Sequence, residues 1–194
     1  MGLDMYLEKM PRYESATAID VYRLEQYFDW KRKQNEYTFE KWCGIKYEDV
    51  PTGEIRKFYE PLFKIKYANY DTEKKFGYGS LMEEVGYWRK VNAIHNWFVK
   101  NVQDGIDDCN YHNEVTKEKL EELLDICNTV VNSYYKNDLS TVSDLLPTQS
   151  GFFFGSTDYD KWYIKDIEDT IDIILEVLNT TNFEKEMIYY RSSW

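Results

Sequence analysis

The 194-residue chain has little of what marks disorder, export or a membrane. Nine Gly and four Pro are too few for a collagen-like repeat or a low-complexity linker, and charged and hydrophobic residues make up 30% and 43%, the balance of a folded protein. No apolar run approaches the roughly 20 residues of a spanning helix. The richest, Ile171 to Leu178, is broken by Asp172 and Glu176. The start, Met1-Gly2-Leu3-Asp4-Met5-Tyr6-Leu7-Glu8, has acids where a signal peptide has a basic segment followed by unbroken apolar residues, so the expected compartment is the cytoplasm, with no membrane contact. Three cysteines, Cys43, Cys109 and Cys127, form neither an even set nor a Cys-x-x-Cys pair, which excludes a disulfide framework and fits a reducing environment. Also missing are the Gly-x-Ser-x-Gly elbow, His-Glu-x-x-His, the nucleotide-binding glycine fingerprint and a Ca²⁺ loop, so no catalytic residue and no cofactor is assigned. Cys109-x-x-His112 has the spacing of half a zinc site, but the other ligands would have to come from His95, Cys43, Cys127 or Asp107-Asp108, and Cys127 is accounted for by an apolar helix position. No metal is expected.

What is present is acid and aromatic surface. Thirty-five Asp and Glu against 24 Lys and Arg give a formal charge of −11, a field that repels phosphate backbones over about 8 Å at physiological salt. Direct nucleic-acid binding is disfavoured, whereas a partner protein with a basic surface is attracted. The chain holds 18 Tyr, 10 Phe and 6 Trp, residues that fill cores and also dominate recognition surfaces.

Hydropathy patterning predicts an α+β domain spanning 1–194, with three or four amphipathic helices on a small, mostly antiparallel sheet and a variable insertion or subdomain at 34–80. Leu3, Met5 and Leu7 alternate with polar residues as in a half-buried strand. Ser15 or Thr17 caps a helix to about Lys33 with Val21, Leu24, Tyr27 and Phe28 in one stripe. Thr38 to Cys43 suggests a helical turn, Leu62 to Tyr70 a strand, and Phe76 to Ser80 a turn. A long helix is expected from Leu81 to about Gln103, capped by Ser80, with Val85, Trp88, Asn92, His95, Phe98, Val99 and Val102 at steps of three and four. Thr116 caps another, with Leu120, Leu123, Cys127, Val130 and Tyr134 in register. Residues 137–150 read as a loop. Ser156, Thr157 or Asp158 caps a third helix, which buries Tyr163, Ile167, Ile171, Ile174, Leu175 and Leu178 and turns Asp160, Asp166, Asp169, Asp172 and Glu176 to water. Met187 to Trp194 is a last extended segment, a candidate neighbour of the first strand.

Two stretches stand out as candidate sites. Trp88, Arg89, Asn92, His95 and Asn96 interrupt an apolar stripe with polar groups, which when buried must be paired or line a pocket; His95 is either a general base, a ligand contact or a hydrogen-bonded histidine at the core edge. Gln149 to Asp158 sets Phe152, Phe153 and Phe154 between Gly151 and Gly155 just before a helix N-terminus, as a ligand-lining loop or as core packing. The binding candidates are therefore Trp88, Arg89, Asn92, His95, Gln149, Phe153 and Tyr159.

The start Gly2-Leu3-Asp4-Met5-Tyr6-Leu7, the run Gly86-Tyr87-Trp88-Arg89-Lys90, Asn92-Ala93-Ile94-His95, Trp97-Phe98-Val99, Asn101-Val102-Gln103-Asp104-Gly105, Leu146-Pro147-Thr148-Gln149 through Thr157, and the close Tyr190-Arg191-Ser192-Ser193-Trp194 together resemble a family encoded by bacteriophages and prophages. The resemblance spans the start and roughly the last 110 residues, and stops short of the stretch from about Arg12 to Ser80. It implies a setting, the cytoplasm of an infected bacterium, rather than a mechanism. Two functions follow as expectations. One is an inhibitor of a bacterial defence system such as CRISPR, binding a basic host protein through acidic, Tyr-rich surface. The other is a small-molecule or nucleotide pocket around His95 and the 149–159 loop.

Overall fold

A computed structural model describes residues 2–33, 36–68, 83–109 and 113–194; the expected turn at Phe76 to Ser80, the Ser80 cap and His112 lie outside them. The chain divides into two compact units, one made of Met1–Lys9 with Glu84–Trp194 and one of Met10–Glu83.

The first unit is built on strands β1 (Asp4–Pro11), β2 (Glu83–Arg89), β3 (Asn113–Val115) and β4 (Glu186–Ser193), in the order β2-β1-β4-β3. The first and last strands are neighbours, as their patterns suggested, and the sheet is antiparallel. β3 meets β4 with Asn113 opposite Tyr190 and Val115 opposite Ile188. Because strand side chains alternate, Leu3, Met5 and Leu7, Trp88, and Ile188 and Tyr190 join one core with residues of helices α4 (Asn92–Asn101), α5 (Lys117–Tyr135), α6 (Leu139–Leu145) and α7 (Lys161–Thr180). The fold class is α+β. Off that face, Arg191 grips Glu8 with two bonds, Nη2 to Oε1 at 3.0 Å and Nε to Oε2 at 3.3 Å, and stacks its guanidinium 3.9 Å from the centre of the Tyr6 ring.

α5 forms as its sequence dictates. Thr116 accepts the Lys119 N–H, and Leu120, Leu123, Cys127 and Val130 are buried at steps of three and four. α4 differs in kind, since every residue from Asn92 to Val99 is buried, the signature of a helix packed on all sides.

The long helix expected from Leu81 to Gln103 is overturned. Glu83–Arg89 is a strand that buries Gly86 and Trp88 and exposes Tyr87 and Arg89, a period of two that the helical spacing of Val85, Trp88, Asn92 and His95 concealed. Lys90, at φ 62°, makes the left-handed break before α4. Residues 137–150, the start of α7 and the faces of α7 also differ from the sequence expectation. Residues 139–145 are helical rather than loop, because Asp138 accepts the Thr141 N–H and hydroxyl and so caps α6. The cap of α7 is Asp160, whose Oδ1 accepts from the N–H groups of Trp162 and Tyr163 at 2.9 and 3.1 Å; Asp158 instead accepts from the Ser156 hydroxyl. Leu175 is exposed and Asp166 half-buried, since the α7 seam runs through Ile164, Thr170 and Val177.

The inserted unit holds α1 (Ala18–Lys33), α2 (Phe39–Cys43), a 3₁₀ turn at Tyr47–Asp49 and α3 (Gly53–Ala68). It contains the described part of the 34–80 segment together with α1. Thr17 and Asp20 exchange bonds as a capping box, Thr17 N–H to Oδ2 at 2.9 Å and Asp20 N–H to Oγ1 at 3.3 Å. The strand expected at Leu62 to Tyr70 is helix as far as Ala68, because Tyr59 and Phe63, four residues apart, both turn into the core. The Tyr59 hydroxyl ties the unit together by donating to the Pro11 carbonyl at 2.9 Å and accepting the Tyr13 N–H at 3.2 Å.

The acid is not shared between the units. The first holds 22 Asp and Glu against 11 Lys and Arg and so carries the whole −11, while the inserted unit has 13 of each and is neutral.

Candidate functional site

α4 presents Asn92, His95 and Asn96, three and four residues apart, on one face. His95, wholly buried, sits between two oxygens: Nδ1 lies 2.7 Å from the Tyr190 hydroxyl and Nε2 3.0 Å from Asp107 Oδ1. Burial pushes the Tyr190 phenol well above its ordinary value, so its O–H is the donor and Nδ1 the acceptor. The Asp107 carboxylate can only accept, which places the imidazole proton on Nε2. Burial lowers the His95 pKa, and Asp107 opposes that only in part, so the ring is neutral. Asp107 Oδ1 also accepts from the Trp194 indole at 3.2 Å, and Oδ2 from the Gln149 amide at 3.4 Å. Phe154 packs edge-on to the imidazole with centroids 5.3 Å apart, and Phe98 stacks on Tyr190 at 4.1 Å. A tyrosine, a histidine and a carboxylate in series can relay a proton. Here both His95 and Tyr190 are sealed from solvent, so the series ties α4 to β4, to residue 107 and to the C-terminal Trp194.

About one turn before the histidine, Asn92 holds the 149–156 loop. Its Oδ1 accepts the Gln149 N–H at 3.0 Å, and its amide donates to the carbonyls of Phe154 and Ser156 at 3.2 and 2.8 Å. Asn96 adds a bond to the Pro147 carbonyl at 3.1 Å. Gly155, at φ 96°, passes so close to Lys90 that a Cβ would lie 3.1 Å from the Lys90 carbonyl oxygen. Thus held, the loop splits its three phenylalanines. Phe154 enters the core, while Phe152 is 81% exposed and Phe153, at φ 66°, is about half exposed.

Beyond this loop lies a cleft of about 280 Å³ lined by residues 89–93, Gly155, Ser156, Asp158, Asp160, Trp162, Tyr163, Asp166 and Ile167. Burial, reinforced by Asp169 and Asp160, pushes the Asp166 carboxyl up to about 6.

The sequence-derived candidates fall into three places. Asn92, His95 and Gln149 meet around the loop. Tyr159 joins them through its hydroxyl, which accepts the Thr148 N–H at 3.2 Å. Arg89 lies in the cleft wall with Asn92. Trp88 is core, its indole donating to Thr170 Oγ1 at 2.9 Å, and Phe153 points outward. Asp107, Tyr190 and Trp194 complete the histidine's surroundings without having been singled out as its partners; the parity of Tyr190 with Ile188 on β4 was the available sign that it faces the core. Among the described residues no group of three or more His, Cys, Asp or Glu is arranged to hold a metal ion, the described cysteines are free, and no helix is long and apolar enough to cross a membrane. Compared with protein-family models, curated proteins and solved structures, the chain matches none.

Proposed function

We propose that this chain is a phage-encoded inhibitor of a bacterial defence system, one that works in the infected cell by binding a basic host protein through acidic, aromatic surface. The observation that carries the reading is the charge partition: all of the −11 lies on the sheet-and-helix unit. Along α7 the acids Asp166, Glu168, Asp169, Asp172 and Glu176 share the helix with exposed Trp162 and Leu175, and Tyr135 of α5 donates to Glu168 at 2.8 Å. Acids supply steering and exposed aromatics supply anchoring, the combination that recognises a basic surface. The burial and full pairing of Asn92 and His95 also favour this reading over chemistry at the histidine.

The test is expression in a bacterium carrying a defined defence system, with phage plaques counted, alongside capture of partners on the purified chain at low and high salt. The expected result is restored plaquing and a stoichiometric partner released by salt, both lost in Glu168→Lys/Asp172→Lys/Glu176→Lys. Unrestored plaquing, or a nucleotide retained by the purified protein with no protein partner, refutes the proposal. The second reading, a small-molecule or nucleotide pocket, is favoured by one observation, the lining of the cleft by Arg89, Lys90 and Asn92; the three aspartates in the same cleft weigh against a phosphate.

A further inference from the structure

The cleft beyond the 149–156 loop has a composition that narrows its ligand. Its size, about 280 Å³, suits one long side chain rather than a cofactor. The cations in its wall lean away from it: Arg89 Nε is 3.9 Å from Asp4 Oδ1, and a Cβ placed on Gly2 would lie 3.3 Å from Lys90 Cε and 4.0 Å from Arg89 Nη2. Arg89 and Lys90 therefore contribute mainly their aliphatic stems. Val91, Ala93, Tyr163 and Ile167 extend the apolar wall. Of the carboxylates, Asp160 is engaged in capping α7 and Asp158 accepts from Ser156. Asp166 is half-buried and disfavoured as an anion, while the indole of Trp162, 66% exposed, stands at the rim, where the Lys161 ammonium 5.0 Å from its ring centre shows that the ring accepts a cation.

We infer that this cleft is an anchor site for a single arginine side chain of the basic partner, its stem against the apolar wall and its guanidinium on Asp166 and the face of Trp162. A planar guanidinium can meet a carboxylate with two parallel bonds and stack on an indole at the same time, which a lysine ammonium cannot. The inference rests on the proposed binding of a basic protein and adds where and by what residue that protein is held.

The probe is the peptide acetyl-Gly-Arg-Gly-amide, titrated into the full chain and followed by the Trp162 indole and Asp166 backbone NMR signals, with the citrulline peptide as its uncharged isostere. The expected result is saturable millimolar binding of the arginine peptide, at least ten-fold weaker binding of the citrulline peptide, and loss of about ten-fold in Asp166→Asn and in Trp162→Ala. Binding should also weaken as pH falls below about 6, where Asp166 takes up a proton; the other charges around the site are Asp158, Asp160, Lys161, Lys165, Asp169, Arg89 and Lys90. Equal shifts with both peptides, unchanged affinity in Asp166→Asn, or shifts spread evenly along the acids of α7 overturn the inference. The two proposals fail separately. A salt-sensitive host complex that forms equally well with Asp166→Asn removes the anchor and leaves the inhibitor, whereas arginine binding without any host complex removes the inhibitor and leaves a site for a free guanidinium ligand.

Discussion

Replacing Asn92 by Ala isolates the contribution of one side chain to the loop that separates the histidine from the cleft. The substitution removes three hydrogen bonds. The Phe154 carbonyl is buried and loses its partner outright, at a cost of about 1–3 kcal/mol, while the Gln149 N–H and the Ser156 carbonyl are nearer the surface and lose about 0.5–1.5 kcal/mol each after water replaces the bond. The sum is about 2–6 kcal/mol. Opening of the loop returns part of it, because Phe153 at φ 66° holds roughly 1 kcal/mol of left-handed backbone strain. The loop should therefore open before the unit unfolds. Urea unfolding gives the global loss, and hydrogen exchange of the peptide covering residues 149–156 gives the local one. Asn92→Asp should be worse than Asn92→Ala at neutral pH, since a carboxylate would face two carbonyl oxygens. A loss below about 1 kcal/mol for both variants, with exchange across 149–156 unchanged, would refute the clamp.

Two further perturbations test the rest of the first unit. The His95 pKa is lowered by burial, so as pH falls below the ordinary imidazole value the unfolded chain takes up a proton that the folded chain resists. Stability contributed by neutral His95 is complete above that value and is lost on acidification; the difference in unfolding free energy between wild type and His95→Gln should shrink as pH falls from 7.5 to 5, and a constant difference would contradict the neutral assignment. Arg191→Met strands the buried Glu8 carboxylate and should cost about 3–5 kcal/mol, with Glu8→Gln/Arg191→Met recovering a large part; a double mutant as unstable as the sum of the two singles would show that the pair is not coupled.

Much of this architecture was legible because local and tertiary demands agree. In α5 the Thr116 cap, the helical spacing of Leu120, Leu123, Cys127 and Val130 and their burial all coincide, and the alternation in Leu3-Met5-Leu7 is the alternation of β1. β2 was illegible because Val85, Trp88, Asn92 and His95 happen to continue a helical spacing across a strand, a turn and a helix. The break is made by Lys90 in a left-handed conformation, which a lysine does not announce. Asn92 and His95 were legible because polar residues among apolar ones demand partners, and Gln149 because it opens the aromatic loop. The partners of His95 were not, since Tyr190 is 95 residues from His95 and only the folded sheet brings them together.

The histidine network differs from the loop tip and the cleft in how well it satisfies ordinary folding rules, and that difference bears on where function resides. Around His95 both ring nitrogens have partners, the charge of Asp107 is shared among donors, and aromatic rings close the space; the buried Oε1 of Gln149 is left without a hydrogen bond, but the histidine itself is satisfied, and a network so paired specifies one packing. At the loop tip Phe153 sits in a left-handed conformation and Phe152 is almost fully in water, and in the cleft Asp166 is desolvated beside other acids. Each feature works against stability, and Asp166→Asn alone would remove one of them. Departures from local consistency are expected where another molecule completes a fold. The loop tip and the cleft are therefore where substitutions should change binding without changing the fold, and the histidine network is where they should change the fold first.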